Sequence, residues 1–189
     1  MTGEELIGLL GESPVVAAVK DGAGLRRCQD SECRVVFVLY GDICTIPALV
    51  SALKEAGKVV FVHVDLIDGL SAREIAVDFI AENTCADGII STRPALIRHA
   101  KGRGLFAVQR FFLLDSIALH NVERQLEAGE ADLIEVLPGV MPKVIRRLAG
   151  SAAKPVIAGG LICDKEDALS ALGAGALAIS STNETVWFL

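Results

Sequence analysis

The residues of this chain that could do chemistry fall at the ends of its apolar runs. Lys20 and Asp21 follow Val15–Val19, Gly41 and Asp42 follow Val35–Tyr40, and His63 and Asp65 close Val59–Asp65. Ser91, Thr92 and Arg93 end the run that starts at Gly88; Gln109 and Arg110 lie in Phe106–Phe112, and Glu135 lies in Asp132–Leu137. The last two runs stop in small residues, one at Gly159 and Gly160, the other at Ser180, Ser181 and Thr182. Backbone N–H groups freed at such ends, beside hydroxyls, suit an anion such as phosphate. Taken singly, each end also fits a tight strand-to-helix turn or a helix cap.

The carboxylates invite a second chemistry. Period-two alternation predicts that His63 and Asp65 share one face of their strand, and that Leu133, Glu135 and Leu137 share one face of theirs, with Glu135 inward. A buried carboxylate needs a partner, because desolvating an unpaired charge costs several kcal/mol. Lys20, Arg93 and Arg110 are the candidates, either in an ion-pair network across the core or with a polar ligand bridging them. Asp65 and Glu135 could also serve as general acid and base. The three histidines are not spaced as metal ligands, so no metal or cofactor is expected, and His99 and His120 are placed on the surface of helices.

Eight β-branched runs must position these groups: Val15–Val19, Val35–Tyr40, Val59–Asp65, Gly88–Thr92, Phe106–Phe112, Asp132–Leu137, Pro155–Leu161 and Ala176–Thr182. Helical patterns precede and separate them at 2–10, Ile46–Ala56, Ser71–Asn83, Pro94–Lys101, Ser116–Ala128, Pro142–Ala149 and Asp164–Leu172. Pro47, Pro94 and Pro142 sit near helix starts, Ser71, Ser116 and Asp164 read as N-caps, and Gly57, Gly102, Gly129, Gly150 and Gly173 read as C-terminal caps. Asp21–Cys33 is short and polar, a loop or a single turn. Trp187 is expected to pack a last helix against the rest. This alternation predicts an α/β fold, one (β/α)8 TIM barrel over residues 1–189 with short strand-to-helix loops. An open doubly wound sheet is the alternative, but no G-x-G-x-x-G follows the first run. On the barrel, the polar residues above would ring the mouth at the strand ends, and the last two strands would share a phosphate site.

Composition narrows the classes. Hydrophobic content of 52% with 5% aromatics fits aliphatic strands covered on both faces. The chain has no run of 18 apolar residues and an acidic opening, so no membrane contact and a cytoplasmic location are expected. Its five cysteines, an odd number without a C-x-x-C pair, read as reduced packing residues. A net charge of −6 argues against indiscriminate coating of nucleic acid. Residues 88–114 nevertheless carry Arg93, Arg98, Lys101, Arg103 and Arg110 with no acidic residue, so Arg98, Lys101 and Arg103 are the candidates for an RNA-contacting face.

The segments Phe61–Gly69, Gly88–Arg93, Gln109–Asp115, Ile134–Gly139 and Ala158–Gly160 together resemble the glycerol uptake operon antiterminator family, over about Pro14 to Trp187. The resemblance implies a barrel that binds glycerol 3-phosphate and acts on leader mRNA to prevent premature transcription termination of glycerol-metabolism genes, without enzymatic turnover. On it, Gly159, Gly160, Ser180 and Ser181 would hold the phosphate, and Lys20, His63, Asp65, Arg93, Gln109, Arg110 and Glu135 would line the polar mouth. The sequence leaves a homo-oligomer open, and it leaves two rivals: a barrel enzyme acting on a small phosphorylated polyol, and a ligand-binding homologue that has lost RNA. A Val stands at 186 where the resemblance leads one to expect Leu.

Overall fold

The computed structural model describes the backbone of residues 1–189 and the side chains of residues 1–125 and 129–189. Eight parallel strands, paired in sequence order, close into a barrel. They are β1 (Val15–Val19), β2 (Val35–Val38), β3 (Val59–His63), β4 (Gly88–Ser91), β5 (Phe106–Phe112), β6 (Leu133–Leu137), β7 (Val156–Gly159) and β8 (Ala178–Ser181). The helices are α1 (Gly3–Glu12), α2 (Gly22–Gln29), α3 (Ile46–Glu55), α4 (Glu74–Asn83), α5 (Pro94–Gly102), α6 (Ser116–Ala128), α7 (Pro142–Ser151) and α8 (Lys165–Gly173). The predicted TIM barrel is therefore the fold. No helix among the described residues is long and apolar enough to cross a membrane.

Alternation along the strands divides the core in two. Val16, Ala18, Val35, Phe37, Phe61, Ile90, Val108, Leu133, Ile157 and Ala178 fill the barrel interior, joined by Leu6 and Leu10 of α1, which precedes the first strand. Leu6 also lies beside Asp132, Leu133 and Pro155 at the starts of β6 and β7, so α1 closes the N-terminal end of the barrel. The other strand faces pack against the helices, as Val36, Val60 and Ile89 do with Leu53, Ile80 and Ile97. The ring of Phe61 takes the space where Gly88 has no side chain; a Cβ there would stand 2.5 Å from both that ring and the carbonyl oxygen of Phe106. That one glycine makes room for the largest interior residue of β3.

At the same end, one device occurs twice. Asp87, just before β4, accepts the Val60 N–H at 2.8 Å and the Lys54 ammonium at 2.6 Å. Asp132, just before β6, accepts the Ala107 N–H at 2.9 Å and the Lys101 ammonium at 2.7 Å. Each carboxylate thus ties a strand start to the helix before the neighbouring strand, a use of Lys101 in folding that its sequence context does not reveal.

Several predicted boundaries move. Asp21–Cys33 contains a helix, α2, whose N-terminus Asp21 caps by accepting the Gly24 N–H at 2.8 Å. β3 stops at His63, where the chain enters a 3-10 turn over Val64–Leu66. Asp115, not Ser116, caps α6, and α4 begins at Glu74, beyond Ser71; Asp164 caps α8 as predicted. Of the expected glycine caps only Gly57 is left-handed; after α5 and α8 Gly104 and Gly175 take that role. The last element is a five-residue 3-10 helix, Glu184–Phe188, and in it Trp187 is buried and donates its indole N–H to the Ser181 carbonyl at 2.7 Å. Two cysteines pack in the core as expected, Cys28 and Cys33, whereas Cys44, Cys85 and Cys163 are exposed.

Because Leu10 is fully buried at the closed end, Leu10→Ala should lower the unfolding free energy by about 2–5 kcal/mol, measured by urea denaturation. A loss below about 1 kcal/mol would mean that α1 does not seal the barrel.

Candidate functional site

β5 and β6 are paired so that Arg110 stands directly beside Glu135, both on the inner face above Val108 and Leu133. Arg110 Nε donates to Glu135 Oε2 at 2.5 Å, and Ser180 Oγ, from β8, donates to Glu135 Oε1 at 2.5 Å. The side chains of Arg110 and Glu135 are 7% and 1% exposed, so this charge pair spans the interior nearly free of water. Of the three cations proposed for Glu135, Arg110 is the partner. Gly159 lies against the pair: a Cβ there would sit 2.5 Å from Ser180 Oγ and 2.6 Å from Glu135 Oε1. A glycine at that strand end is required by the carboxylate it faces.

Above the pair opens a cavity of about 250 Å³ at the C-terminal ends of β5 to β8 and β1. Arg110 and Glu135 of the predicted mouth and Gly160, Ser180 and Ser181 of the predicted phosphate ends line it, with Ala18, Leu39 and Leu137 as an apolar wall; Gly159 lies below, against Glu135. Leu161, Cys163, Thr182 and Asn183 complete the lining and were not among the predicted site residues. The loop after β7 turns through two left-handed residues, Gly160 at φ 75° and Leu161 at φ 62°. The second is strained for a residue with a side chain and leaves Leu161 exposed at the rim. The hydroxyl of Ser181 is used internally: it donates to the Ile162 carbonyl and accepts the Asn183 N–H. Asn183 in turn caps the final 3-10 helix, so that terminus is already satisfied. Its place directly after Ser-Ser-Thr was the one sequence signal that could have added it to the site.

The predicted mouth residues do not form one cluster. Arg110 and Glu135 are in the cavity. Asp65 belongs to a second cluster between β3 and β4, where it accepts hydrogen bonds from Ser91 Oγ at 3.0 Å and the Thr92 N–H at 2.8 Å, and pairs with Arg93 at 3.3 Å. His63 and Asp65 do not share a strand face, because β3 ends at His63 and the 3-10 turn redirects Asp65 toward the end of β4. Lys20 is exposed just past β1. Gln109 is the clear misplacement: as the neighbour of inward-facing Arg110 it faces outward, bonds Gln125 of α6 at 2.9 Å, and lines a separate cleft with Ile97 and Arg98.

The RNA candidates are not a bare basic face. Arg98 pairs with Glu130, Lys101 with Asp132, and Arg103 with Asp78 and Glu82. The acids come from α4 and from the segment before β6, elements outside the acid-free stretch. His99, expected at the surface, is half-buried and bonds Asp78 at 2.8 Å, while His120 is exposed. No cluster of three potential metal ligands occurs among the described residues.

His63 faces inward and its Nδ1 is buried without a hydrogen-bond partner, 4.0 Å from Asp65 Oδ2. Burial, followed by the charge of Arg110, pushes its pKa down to about 4 against the opposing pull of Asp65. The ring is therefore neutral at pH 7, and the contact with Asp65 is not an ion pair. An unfolded histidine titrates near 6.5. Between about 6.5 and about 4 the unfolded chain thus binds a proton that the folded chain does not, and His63 makes stability fall as pH falls. The effect begins below about pH 6.5 and reaches its full size, on the order of 3 kcal/mol, only below about pH 4. Denaturation midpoints at pH 7 and pH 5 should converge for His63→Asn relative to the unsubstituted protein; an unchanged pH dependence would show that His63 is not the group.

Comparison with known proteins agrees with this architecture. The sequence profile of the family described as glycerol-3-phosphate responsive antiterminator matches residues 15–187. An uncharacterized protein of Escherichia coli (strain K12), YgcP, is 48% identical over 184 residues, covering 97% of this chain and 96% of that protein. The crystal structure of a glycerol uptake operon antiterminator regulatory protein from Listeria monocytogenes str. 4b F2365 superposes with a TM-score of 0.87 at 32% identity, covering 92% of this chain and 94% of that one. A glycerol uptake operon antiterminator-related protein from Thermotoga maritima MSB8 gives a TM-score of 0.80 at 35% identity, with coverage of 93% and 98%. With its profile match running from the first strand to Trp187, the chain belongs to the glycerol-3-phosphate responsive antiterminator family.

Proposed function

We propose that this protein is a non-enzymatic sensor of glycerol 3-phosphate that, with ligand bound, acts on leader mRNA of glycerol-metabolism genes as a transcription antiterminator. The observation that carries the ligand half is the cavity over Arg110, Glu135 and Ser180, rimmed by the ends of β7 and β8. The phosphate would meet the loop after β7 and the Ser180–Thr182 end, where Gly160 brings backbone close to the ligand. The glycerol hydroxyls would point toward the polar interior.

Turnover has little support in the residues. No lysine lies within any of the eight strands, which disfavours Schiff-base chemistry of the aldolase kind. Asp65 and Glu135, the candidate acid and base, stand in separate clusters, each holding its own cation. The ion pairs along α5 do favour a second reading, a family member that binds the ligand and has no RNA target, because the cations that would face phosphates are already neutralised.

Titration calorimetry should show glycerol 3-phosphate binding in clear preference to glycerol and to inorganic phosphate; equal binding of all three would remove the sensor reading. For the RNA half, binding to a leader transcript should strengthen with ligand and weaken as salt rises. Arg98→Ala with Arg103→Ala should change stability by less than about 1 kcal/mol, since both are surface pairs. If the double variant binds the transcript as well as the unsubstituted protein, α5 is not the surface; if the unsubstituted protein binds no transcript, the second reading holds.

A further inference from the structure

Arg110 is bound on one edge only. Its Nε is fixed to Glu135, but its terminal nitrogens Nη1 and Nη2 have no hydrogen-bond partner among the described residues. A guanidinium carries five N–H groups in a rigid plane, so fixing the Nε edge also fixes where the others point. Arg110 and Glu135 both line the mouth cavity, together with Gly160 and Thr182 of the phosphate-suited rim. Neither terminal nitrogen is among the buried atoms without a partner, so this edge opens into the mouth cavity, where water or an occupant can accept from it. Glu135 has each of its oxygens engaged, one by Arg110 and one by Ser180. These two bonds from different strands hold the carboxylate in place and make it a good anchor.

We infer that Arg110 is the specificity-determining residue of the mouth, reading the oxyanion of a phosphate monoester through its terminal guanidinium edge, and that Glu135 is a positioning residue that aims this edge. The inference rests on the ligand-binding reading above but assigns the charge recognition to one side chain in addition to the strand-end backbone. The fork selects for an oxyanion with two oxygens in reach, and that this oxyanion is a phosphate ester rests on the ligand reading above. Discrimination against the neutral polyol then comes from the charge-assisted hydrogen bonds that only an oxyanion can accept from this edge.

Two conservative substitutions test this, because each keeps the charges and the buried pair while spoiling the aim. Arg110→Lys replaces the fork by a point charge, and Glu135→Asp draws the anchor back by one methylene. Losing charge-assisted hydrogen bonds to the oxyanion should weaken glycerol 3-phosphate binding about ten- to a hundredfold in Arg110→Lys and about tenfold in Glu135→Asp. Weak binding of glycerol should not move, so the ratio of the two affinities is the readout; a purely structural pair would shift both alike or neither. Thermal melting of each variant reports whether it folds, and Arg110→Met with Glu135→Gln supplies a variant without buried charge in case the single changes unfold. A glycerol 3-phosphate to glycerol ratio unchanged in any folded variant overturns the inference. If the unsubstituted protein prefers a different phosphate monoester and Arg110→Lys abolishes that preference, the role of Arg110 stands and the identity of the ligand is what fails.

Discussion

The contact on which the site depends is the charge pair between Arg110 and Glu135, buried between adjacent strands and joined by Ser180 from across the barrel. Removing two charges from water costs several kcal/mol each, and only good geometry and satisfied lone pairs offset this. The barrel supplies both. Pairing of β5 with β6 sets the two side chains shoulder to shoulder, and closure of the sheet brings β8 near enough for its serine to occupy the second carboxylate oxygen. Below the pair, Val108, Leu133 and Ile157 exclude water, and Leu6 and Leu10 of α1 seal the far end. Above it, Gly159 must lack a side chain for the carboxylate to lie where it does. Apolar packing, closure and one glycine therefore serve a single polar arrangement.

The opposite side of the mouth is organised differently. Asp65 is held by the hydroxyl of Ser91, the N–H of Thr92 and the guanidinium of Arg93, all contributed by the end of β4. Arg93 is half-exposed, so this cluster is open to solvent where the Glu135 pair is closed. His63 lies between them and stays neutral, because burial and the nearby Arg110 together outweigh Asp65. A neutral ring there keeps a second cation out of a region that already holds Arg110.

Much of this was legible in the sequence. Eight β-branched runs alternating with capped helical patterns dictate the barrel, and Gly160, Ser180 and Ser181 at the strand ends lie in the lining of its mouth cavity. The errors have specific physical causes. Alternation had to decide between Gln109 and Arg110, since adjacent strand residues cannot both face inward; treating both as mouth residues ignored this, and Gln109 lies behind the wall. For Asp65 the alternation was carried one turn too far, past the end of β3. The basic stretch around α5 looked unbalanced because its acids, Asp78, Glu82, Glu130 and Asp132, lie outside the 88–114 window. Cross-element ion pairs of this kind leave no periodic trace, and neither does the strained turn at Leu161.

The placement of these cations bears on how a ligand could be coupled to RNA. Helices of a barrel run antiparallel to its strands, so the C-terminal half of α5, with Arg98, Lys101 and Arg103, lies toward the end sealed by α1. Lys101 there is tied to Asp132 and the start of β5, a structural duty that Lys54 repeats with Asp87. A ligand over Arg110 shares no residue with that surface, and coupling between them would need an element with two arrangements that both sites bias. Arg93 is placed otherwise. It precedes α5 at the mouth end, more than half of its side chain is exposed, and its carboxylate partner Asp65 lies 4.0 Å from His63 on the inner face. Arg93 is thus an exposed cation at the mouth, and its partner Asp65 is also held by Ser91 and Thr92, so moving that ion pair would mean disturbing the end of β4 as well.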